Sequence, residues 1–296
     1  MPARRPPAPE ELLTPEFLAR LRLFKDLFFR RRNLGELRGA GFGPTPEFDT
    51  HRSYEPGDDL RYIDWNVYAR MEKLLLKLFI LEKESQVCVL LDSSDSMRLG
   101  GGRKSAMAAR FAASFSYLAL SAGRPLVIGA FAERFLAARG PWQALDQFPE
   151  SLRFFAGPPR GRATRFGASL AEFLATRRGR CFLIVVSDFF QEQDVRPEIA
   201  WLRQRRHGLH LVQIVEDREL EPVLRGACTV TDAEGESELS LVAGNDFMSQ
   251  VRAAVREYVD GVGTTCRALA VPYALVRASQ PFEQAFLEHL AERPAG

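Results

Sequence analysis

The middle and C-terminal parts of the chain alternate short apolar runs with segments whose apolar residues recur at helical spacing. The short runs are rich in Val, Ile and Leu without strict polar alternation, as expected for strands buried on both faces. We therefore predict an α/β fold, a doubly wound and mainly parallel sheet with helices on both sides. The predicted strands are Gln86–Asp92, Leu126–Phe131, Cys181–Ser187, Leu209–Val215 and Tyr273–Arg277, with an edge strand at Glu133–Ala138. The predicted helices are Lys104–Ser121, Trp142–Phe155, Phe166–Arg177, Pro197–Arg206, Asp246–Val259 and Phe282–Glu292.

Two regions depart from this alternation. Residues 227–242 place two β-prone runs around Asp232-Ala233-Glu234-Gly235-Glu236, which predicts a β-hairpin insertion. Residues 1–84 hold a Pro-rich tail, a basic segment, a Gly-rich stretch and a dense polar and aromatic block. We predict that residues 1–84 form an N-terminal extension and that residues 85–296 form the α/β domain.

The basic segment between Phe17 and Asn33 has apolar residues at helical spacing beside several arginines. This pattern is typical of a helix that lies on a membrane surface. It is equally typical of an amphipathic helix packed on its own domain, which is the interpretation that we favour.

Composition limits the possible functions. The 296 residues carry a net charge of +2, which gives no global field for binding nucleic acid. The four cysteines have neither metal-ligand nor disulfide spacing, which indicates buried, reduced thiols and a cytoplasmic protein. The N-terminus lacks the apolar stretch of a signal peptide, and no run approaches the length of a transmembrane helix, so we expect at most peripheral membrane contact.

The most informative junction is the one where the first predicted core strand ends in Asp92-Ser93-Ser94-Asp95-Ser96. Asp92, Ser94 and Ser96 offer hard oxygen donors, which suit a small divalent cation. The alternative is a turn that only caps the following helix.

Two further positions favour the metal interpretation. Ligands in open α/β sheets lie outside the carboxyl ends of the strands, and Asp188 directly follows another predicted strand. The loop before the helix at Phe166 can bring the Thr164 hydroxyl to the same place. We predict a site for Mg²⁺, with Mn²⁺ or Ca²⁺ as alternatives, in which water molecules complete the coordination.

At this point the chain resembles two known groups of proteins. Asp-x-Ser-x-Ser with a later Thr and a later strand-end Asp is similar to the metal-ion-dependent adhesion site of von Willebrand factor A domains. A second block resembles the signature of the bacterial "domain of unknown function 58" family, whose members carry such a core. That block is Arg52-Ser53-Tyr54-Glu55-Pro56-Gly57-Asp58-Asp59-Leu60-Arg61-Tyr62-Ile63-Asp64-Trp65, followed by Ala69-Arg70.

The resemblance implies a function in binding. It implies that Asp92, Ser94, Ser96, Thr164 and Asp188 hold the metal and that a partner protein supplies a carboxylate to it. It also implies an adaptor that works with a MoxR-type AAA+ ATPase, or with its client, in a chaperone-like assembly system. We expect no catalytic activity.

Two enzymatic alternatives would use the same part of the chain. A metal-dependent phosphohydrolase of the aspartyl-phosphate type needs Asp-x-Asp at the strand end, but Ser94 stands at the second position. A phosphate-binding loop before Lys104 needs glycines where Arg98 and Arg103 stand. The phosphohydrolase stays as the alternative function.

Overall fold

The computed structural model describes residues 8–31, 47–54, 63–80, 86–99, 101–177, 179–205, 207–222, 226–231, 238–243 and 245–291. The chain divides into two compact units, of which one is Met1–Leu37 with Gln86–Gly296 and the other is Arg38–Ser85. The first helices of the chain therefore group with the α/β unit, whereas the sequence-based boundary had set all of residues 1–84 apart.

The strands form one large sheet and two antiparallel pairs. They are β1 (Glu47–Ser53), β2 (Leu75–Ile80), β3 (Gln86–Asp92), β4 (Leu126–Phe131), β5 (Phe135–Trp142), β6 (Cys181–Ser187), β7 (Gly208–Val215), β8 (Gly226–Thr231), β9 (Glu238–Ala243) and β10 (Tyr273–Arg277). The large sheet has the order β10-β7-β6-β3-β4-β5, and its neighbouring strands are parallel except for β4 and β5. β1 pairs with β2, and β8 pairs with β9.

Helices cover both faces of the large sheet. The helices of this unit are α1 (Pro9–Leu12), α2 (Pro15–Arg31), α4 (Arg103–Ser121), α5 (Phe148–Ala156), α6 (Phe166–Ala175), α7 (Arg196–Gln204), α8 (Asp217–Leu220), α9 (Asn245–Ala268) and α10 (Phe282–Ala291). The helix α3 (Trp65–Met71) belongs to the smaller unit. Alternate residues of β3 belong to separate cores: Val87 packs with the core that includes α2, α4 and α10, and Cys88 with the core that includes α6 and α7. The predicted doubly wound α/β fold is confirmed.

Helix α2 packs on the α/β unit. Phe17 and Leu21 are fully buried, and the Phe17 ring lies 5.0 Å from the Phe282 ring in an edge-on arrangement. Further along the helix, Phe28 lies 5.3 Å from Phe115 of α4. The apolar stripe is thus covered by protein, which confirms the favoured interpretation of this helix. Within the described ranges, no helix is long and apolar enough to cross a bilayer.

The predicted edge strand Glu133–Ala138 and helix Trp142–Phe155 are wrong in their bounds. β5 continues to Trp142, which pairs with Leu126, and α5 begins only at Phe148. Antiparallel pairing with β4 therefore extends the strand through residues that the periodicity had assigned to the helix. Pro149 lies in the first turn of α5, where its missing N–H costs no helical hydrogen bond.

Helix α9 is longer than the predicted Asp246–Val259. Val262 and Cys266 are fully buried four residues apart in the core that also includes α6 and α7, so packing extends the helix past two glycines, Gly261 and Gly263. Arg206 and Glu292, the predicted last residues of two other helices, lie outside the described residues.

The hairpin insertion is confirmed. β8 and β9 pair antiparallel from Gly226 with Ala243 to Thr231 with Glu238. Its predicted turn, residues 232–236, lies outside the described residues.

In the smaller unit, Asp64 precedes α3 and accepts a hydrogen bond from the Val67 N–H at 3.3 Å, which is the geometry of a helix N-cap. Trp65 and Tyr68 of this helix are exposed, at 59% and 42%.

Candidate metal centre

The centre of the site lies where two neighbouring strands end. Asp92 is the last residue of β3 and Asp188 follows β6, and these strands are parallel with Leu91 opposite Val186. Their carboxyl ends therefore open at one edge of the sheet, beside the point where the chain reverses its direction of winding. Both carboxyl groups are buried, with Asp92 2% exposed and Asp188 0% exposed.

Asp92 connects the surrounding groups through its side chain. Its Oδ1 accepts a hydrogen bond from the Ser94 N–H at 2.9 Å. Its Oδ2 accepts hydrogen bonds from the hydroxyls of Ser187 at 2.5 Å and Thr164 at 3.2 Å. The Asp92 side chain thus joins β3, the end of β6 and the loop before α6.

The loop after β3 holds the serines together and is tied to the loop that carries Thr164. The Ser94 and Ser96 hydroxyl oxygens lie 3.0 Å apart. The Asp95 N–H donates to the Arg162 carbonyl at 2.9 Å, and the Gly161 N–H donates to the Ser93 carbonyl at 3.2 Å. These backbone hydrogen bonds bring Thr164 to Asp92 although the two residues are distant in sequence.

Gly161 is required for this approach of the two loops. A Cβ at this position would lie 2.3 Å from the Cβ of Ala132 and 2.4 Å from a carboxylate oxygen of Glu133. The Glu133 carboxylate also accepts a hydrogen bond from the Arg162 N–H at 2.9 Å. Ala132 and Glu133, which follow β4, therefore fix the position of the loop that carries Thr164.

The oxygen atoms present fit a small divalent cation. Octahedral coordination at about 2.1 Å places neighbouring ligand oxygens about 3 Å apart. The distances of 3.0 Å between the Ser94 and Ser96 hydroxyls and 3.2 Å between Thr164 Oγ1 and Asp92 Oδ2 match that spacing. The Ser93 hydroxyl in the same loop is buried and has no hydrogen-bond partner among the described residues.

The electrostatics also favour a cation. Burial and, secondly, the charge of Asp188 raise the pKa of Asp92 to about 7, although hydrogen bonds from Ser187 and Ser94 oppose the rise. The charge of Asp188 thus disfavours ionisation of Asp92, and a divalent cation between the two carboxyl groups would offset this repulsion.

A buried lysine also belongs to the site. Lys104, in the first turn of α4, is 0% exposed, and its Nζ donates to Asp188 Oδ2 at 2.7 Å and to a carboxylate oxygen of Glu219. Burial disfavours its charge, but Asp188 and Glu219 outweigh burial, so the pKa of Lys104 is raised. The neighbouring Arg103 pairs with the buried Glu216 at 2.8 Å.

The net charge of the cluster also suits a dication. With every group ionised, the carboxylates of Asp92, Asp188, Glu216 and Glu219 exceed the two cations Arg103 and Lys104 by two negative charges. A bound Mg²⁺ would bring this buried cluster to neutrality.

The five residues predicted from the sequence converge in this cluster, and their role as metal ligands stays a prediction. Asp92 contacts Thr164 and Ser94 directly, Ser96 contacts Ser94, and the charge of Asp188 acts on Asp92.

Sequence reasoning missed Ser187, Lys104 and Glu219. For two of them, Ser187 and Lys104, the sequence contains an indication. Ser187 is the only hydroxyl residue in β6, the strand that directly precedes Asp188. Lys104 stands in the first turn of a helix, where the helix dipole disfavours a cation unless carboxylates face it.

The fold and the site define a class of protein, an α/β domain with a buried cluster of hard oxygen donors at the carboxyl ends of its parallel strands. The model of the family described as "Protein of unknown function DUF58" matches residues 50–260. The chain belongs to this family.

The chain is also similar to mycobacterial proteins. It is 24% identical over 300 residues to the uncharacterized protein Rv1480 of Mycobacterium tuberculosis strain H37Rv and equally to Mb1516 of Mycobacterium bovis. Each alignment covers 95% of this chain and 91% of the relative.

The chain is also similar to two solved structures. One is the conserved hypothetical protein BatB from Bacteroides thetaiotaomicron, with 12% identity, a TM-score of 0.40, and coverage of 70% of this chain and 97% of that chain. The other is an aerotolerance-related membrane protein from Bacteroides fragilis, with 11% identity, a TM-score of 0.36, and coverage of 70% and 98%.

Proposed function

We propose that the chain is a divalent-cation-dependent protein–protein interaction module of the cytoplasm, with Mg²⁺ as the resident ion. The observation that carries the proposal is the buried oxygen cluster around Asp92, whose spacing and charge excess suit a dication. Asp92, Ser94, Ser96, Thr164 and Asp188 are the proposed ligands. Their oxygens leave coordination positions for water, one of which a carboxylate of a partner protein can take.

The ligands favour binding over catalysis. Neither a His nor a Cys contributes a side chain to the hydrogen bonds described around Asp92, and the basic side chain of Lys104 beside Asp188 is held by two carboxylates. None of the proposed ligands is more than 7% exposed, so a partner would contact the ion through a coordination position that water otherwise fills.

The proposed partner is a MoxR-type AAA+ ATPase or its client, for which the chain would act as an adaptor. The family resemblance of the sequence is the support for this partner. The cytoplasmic location is supported by Cys88, Cys181 and Cys266, which are buried free thiols.

The test is a binding measurement between the purified chain and a purified MoxR-type ATPase by surface plasmon resonance. We expect association in Mg²⁺ that Asp92→Ala weakens at least tenfold. Chelation alone is not sufficient, because EDTA also removes the ion of the ATPase. Asp95→Ala is the matched control, since Asp95 lies in the same loop, is partly exposed and pairs with Arg98. Equal binding by wild type and Asp92→Ala would refute the metal dependence of the interaction. No binding by wild type would refute the MoxR-type ATPase as the partner.

The alternative is a metal-dependent phosphohydrolase of the aspartyl-phosphate type. One observation favours it, because a buried lysine beside strand-end carboxylates is suited to neutralise a phosphoryl group. Ser94 still lacks the acid/base function that such an enzyme needs at that position. Mg²⁺-dependent hydrolysis of p-nitrophenyl phosphate that is lost in Asp92→Ala would support the enzyme; equal background rates for both proteins would exclude it.

A further inference from the structure

The ion pair of Lys104 occupies a place that the proposed metal would also use. Asp188 is one of the two carboxylates at the strand ends, and its Oδ2 accepts a hydrogen bond from Lys104 Nζ at 2.7 Å. Its Oδ1 accepts the Phe190 N–H at 3.1 Å. Both oxygens of this carboxylate are therefore engaged by protein donors.

The position of Lys104 has an energetic cost that needs a reason. The side chain is fully buried in the first turn of α4, at the end of the helix where the dipole is positive. Arg103 beside it places a second cation in the same turn. A structural residue at this place would be apolar or acidic, so the carboxylates of the site explain the lysine.

We propose that Lys104 is an internal cation that competes with the divalent ion for Asp188 and so holds the affinity of the site low. This inference rests on the proposed function, because it takes the cluster to bind a divalent cation. A fixed positive charge within a few ångströms of a dication repels it strongly in a poorly solvated environment. Occupancy of the site then follows the free concentration of the ion, as a reversible link to a partner requires.

Glu219 sets the strength of this competition. It takes a share of the Lys104 charge, and its second carboxylate oxygen accepts the Glu216 N–H at 2.7 Å. When the charge of Glu219 is removed, Asp188 is the remaining carboxylate of the two that pair with Lys104, and the pair of Lys104 with Asp188 becomes stronger. Substitutions of the two residues should thus change the metal affinity in opposite directions.

The experiment is titration of Mg²⁺ into the full chain by isothermal calorimetry at pH 8. Lys104→Met should bind Mg²⁺ roughly tenfold or more tightly than wild type, and Glu219→Gln should bind it roughly tenfold more weakly. Arg98→Met is the control: it removes a cation of the loop after β3 that pairs with Asp95 and is 45% exposed, so its affinity should change less than about threefold.

The outcomes separate this inference from the proposed function. If wild type binds Mg²⁺ and Lys104→Met binds it equally or more weakly, the competition is refuted and the metal site stands. If only Lys104→Met binds Mg²⁺, the competition stands and metal dependence of the natural protein fails. If neither binds, both fail. If Lys104→Met does not fold, Glu219→Gln decides, and an unchanged affinity in that variant overturns the inference.

Discussion

At the scale of single residues, Asp92 bears the electrostatic cost of the site. It is buried beside Asp188, and burial together with that neighbouring charge raises its pKa to about 7. The hydroxyls of Ser187 and Thr164 and the N–H of Ser94 all point their hydrogens at it. A protein retains such a destabilising carboxylate where a ligand uses it.

Asp92→Asn should therefore stabilise the metal-free protein at neutral and alkaline pH. The folded chain holds the Asp92 proton more tightly than the unfolded chain does, so stability from this group is present below about pH 4 and is lost as pH rises to about 7. Asp92→Asn removes the ionisable group, so the variant does not lose this stability as the pH rises. Thermal melts in EDTA should show the variant to be more stable at pH 8 by up to a few kcal/mol, since a tenfold change in proton affinity corresponds to about 1.4 kcal/mol.

The gain should disappear at pH 4, where Asp92 is protonated in both states. Asp95→Asn in the same loop is the control and should leave the melting temperature unchanged within about 1 °C at pH 8, since its carboxylate is partly exposed and pairs with Arg98. A lower melting temperature for Asp92→Asn at pH 8 would contradict this account of the cost.

The residue chemistry of the site could be predicted only in part. Asp92, Ser94 and Ser96 share one short segment, and Asp188 follows a recognisable strand, so the sequence was sufficient to predict that these residues lie together. The pairing of Lys104 with Asp188 and Glu219 joins residues that are far apart in the chain, and no local pattern records it.

At the scale of elements, the loops after β3 and before α6 act as one unit. Backbone hydrogen bonds from Asp95 to Arg162 and from Gly161 to Ser93 fasten them together. The close packing of Gly161 against Ala132 sets the distance between them. The position of the Thr164 hydroxyl is therefore fixed by the backbone of the neighbouring loops, rather than by the helix α6 that follows it.

Gly161→Ala should displace this loop. The added Cβ has no room beside Ala132, so overpacking should cost about 1 to 3 kcal/mol of unfolding free energy and weaken Mg²⁺ binding through Thr164. Gly157→Ala is the matched control, because a Cβ there meets nothing within 4 Å. Urea denaturation and Mg²⁺ calorimetry on both variants provide the measurement, and equal behaviour of the two would show that the close packing does not constrain the loop.

Helix α2 contributes stability to the α/β unit through its buried aromatic residues. Phe17→Ala should cost about 3 to 5 kcal/mol of unfolding free energy, because the fully buried ring packs against Phe282 and Phe286. Leu23→Ala on the same helix should change it by less than about 0.5 kcal/mol, since Leu23 is 82% exposed. Similar values for both variants in chemical denaturation would refute the docking of this helix.

The elements that sequence reasoning placed best are the ones buried on both faces. The bounds of β3, β4 and β6 agree with the prediction because continuous apolar runs mark them. The bounds of β10 also agree, although this edge strand is partly exposed. β5 is half exposed at the sheet edge, and its pairing with β4 determines its length more than its own pattern does. The same holds for α9, whose second half is set by contacts of Val262 and Cys266.

At the scale of the whole molecule, a nearly neutral chain concentrates negative charge at one place. The net charge is +2, yet the carboxyl ends of β3, β6 and β7 carry Asp92, Asp188 and Glu216. The strand order puts this edge at the point where winding reverses, which is where α/β sheets bind ligands. The architecture and the place of the site followed from the alternation of strands and helices, whereas the grouping of α1 and α2 with this unit required the tertiary contacts of Leu12, Phe17 and Phe28.

The central claim is that the cluster around Asp92 holds a divalent cation. Isothermal calorimetry of Mg²⁺ binding at pH 8, where Asp92 is mostly ionised, tests it most directly. Wild type and Asp95→Ala should bind one Mg²⁺ per chain with equal affinity, and Asp92→Ala should bind it at least about a hundredfold more weakly, because a carboxylate ligand of a dication is lost. Equal Mg²⁺ affinity in wild type and Asp92→Ala, or no binding by wild type, would contradict the account.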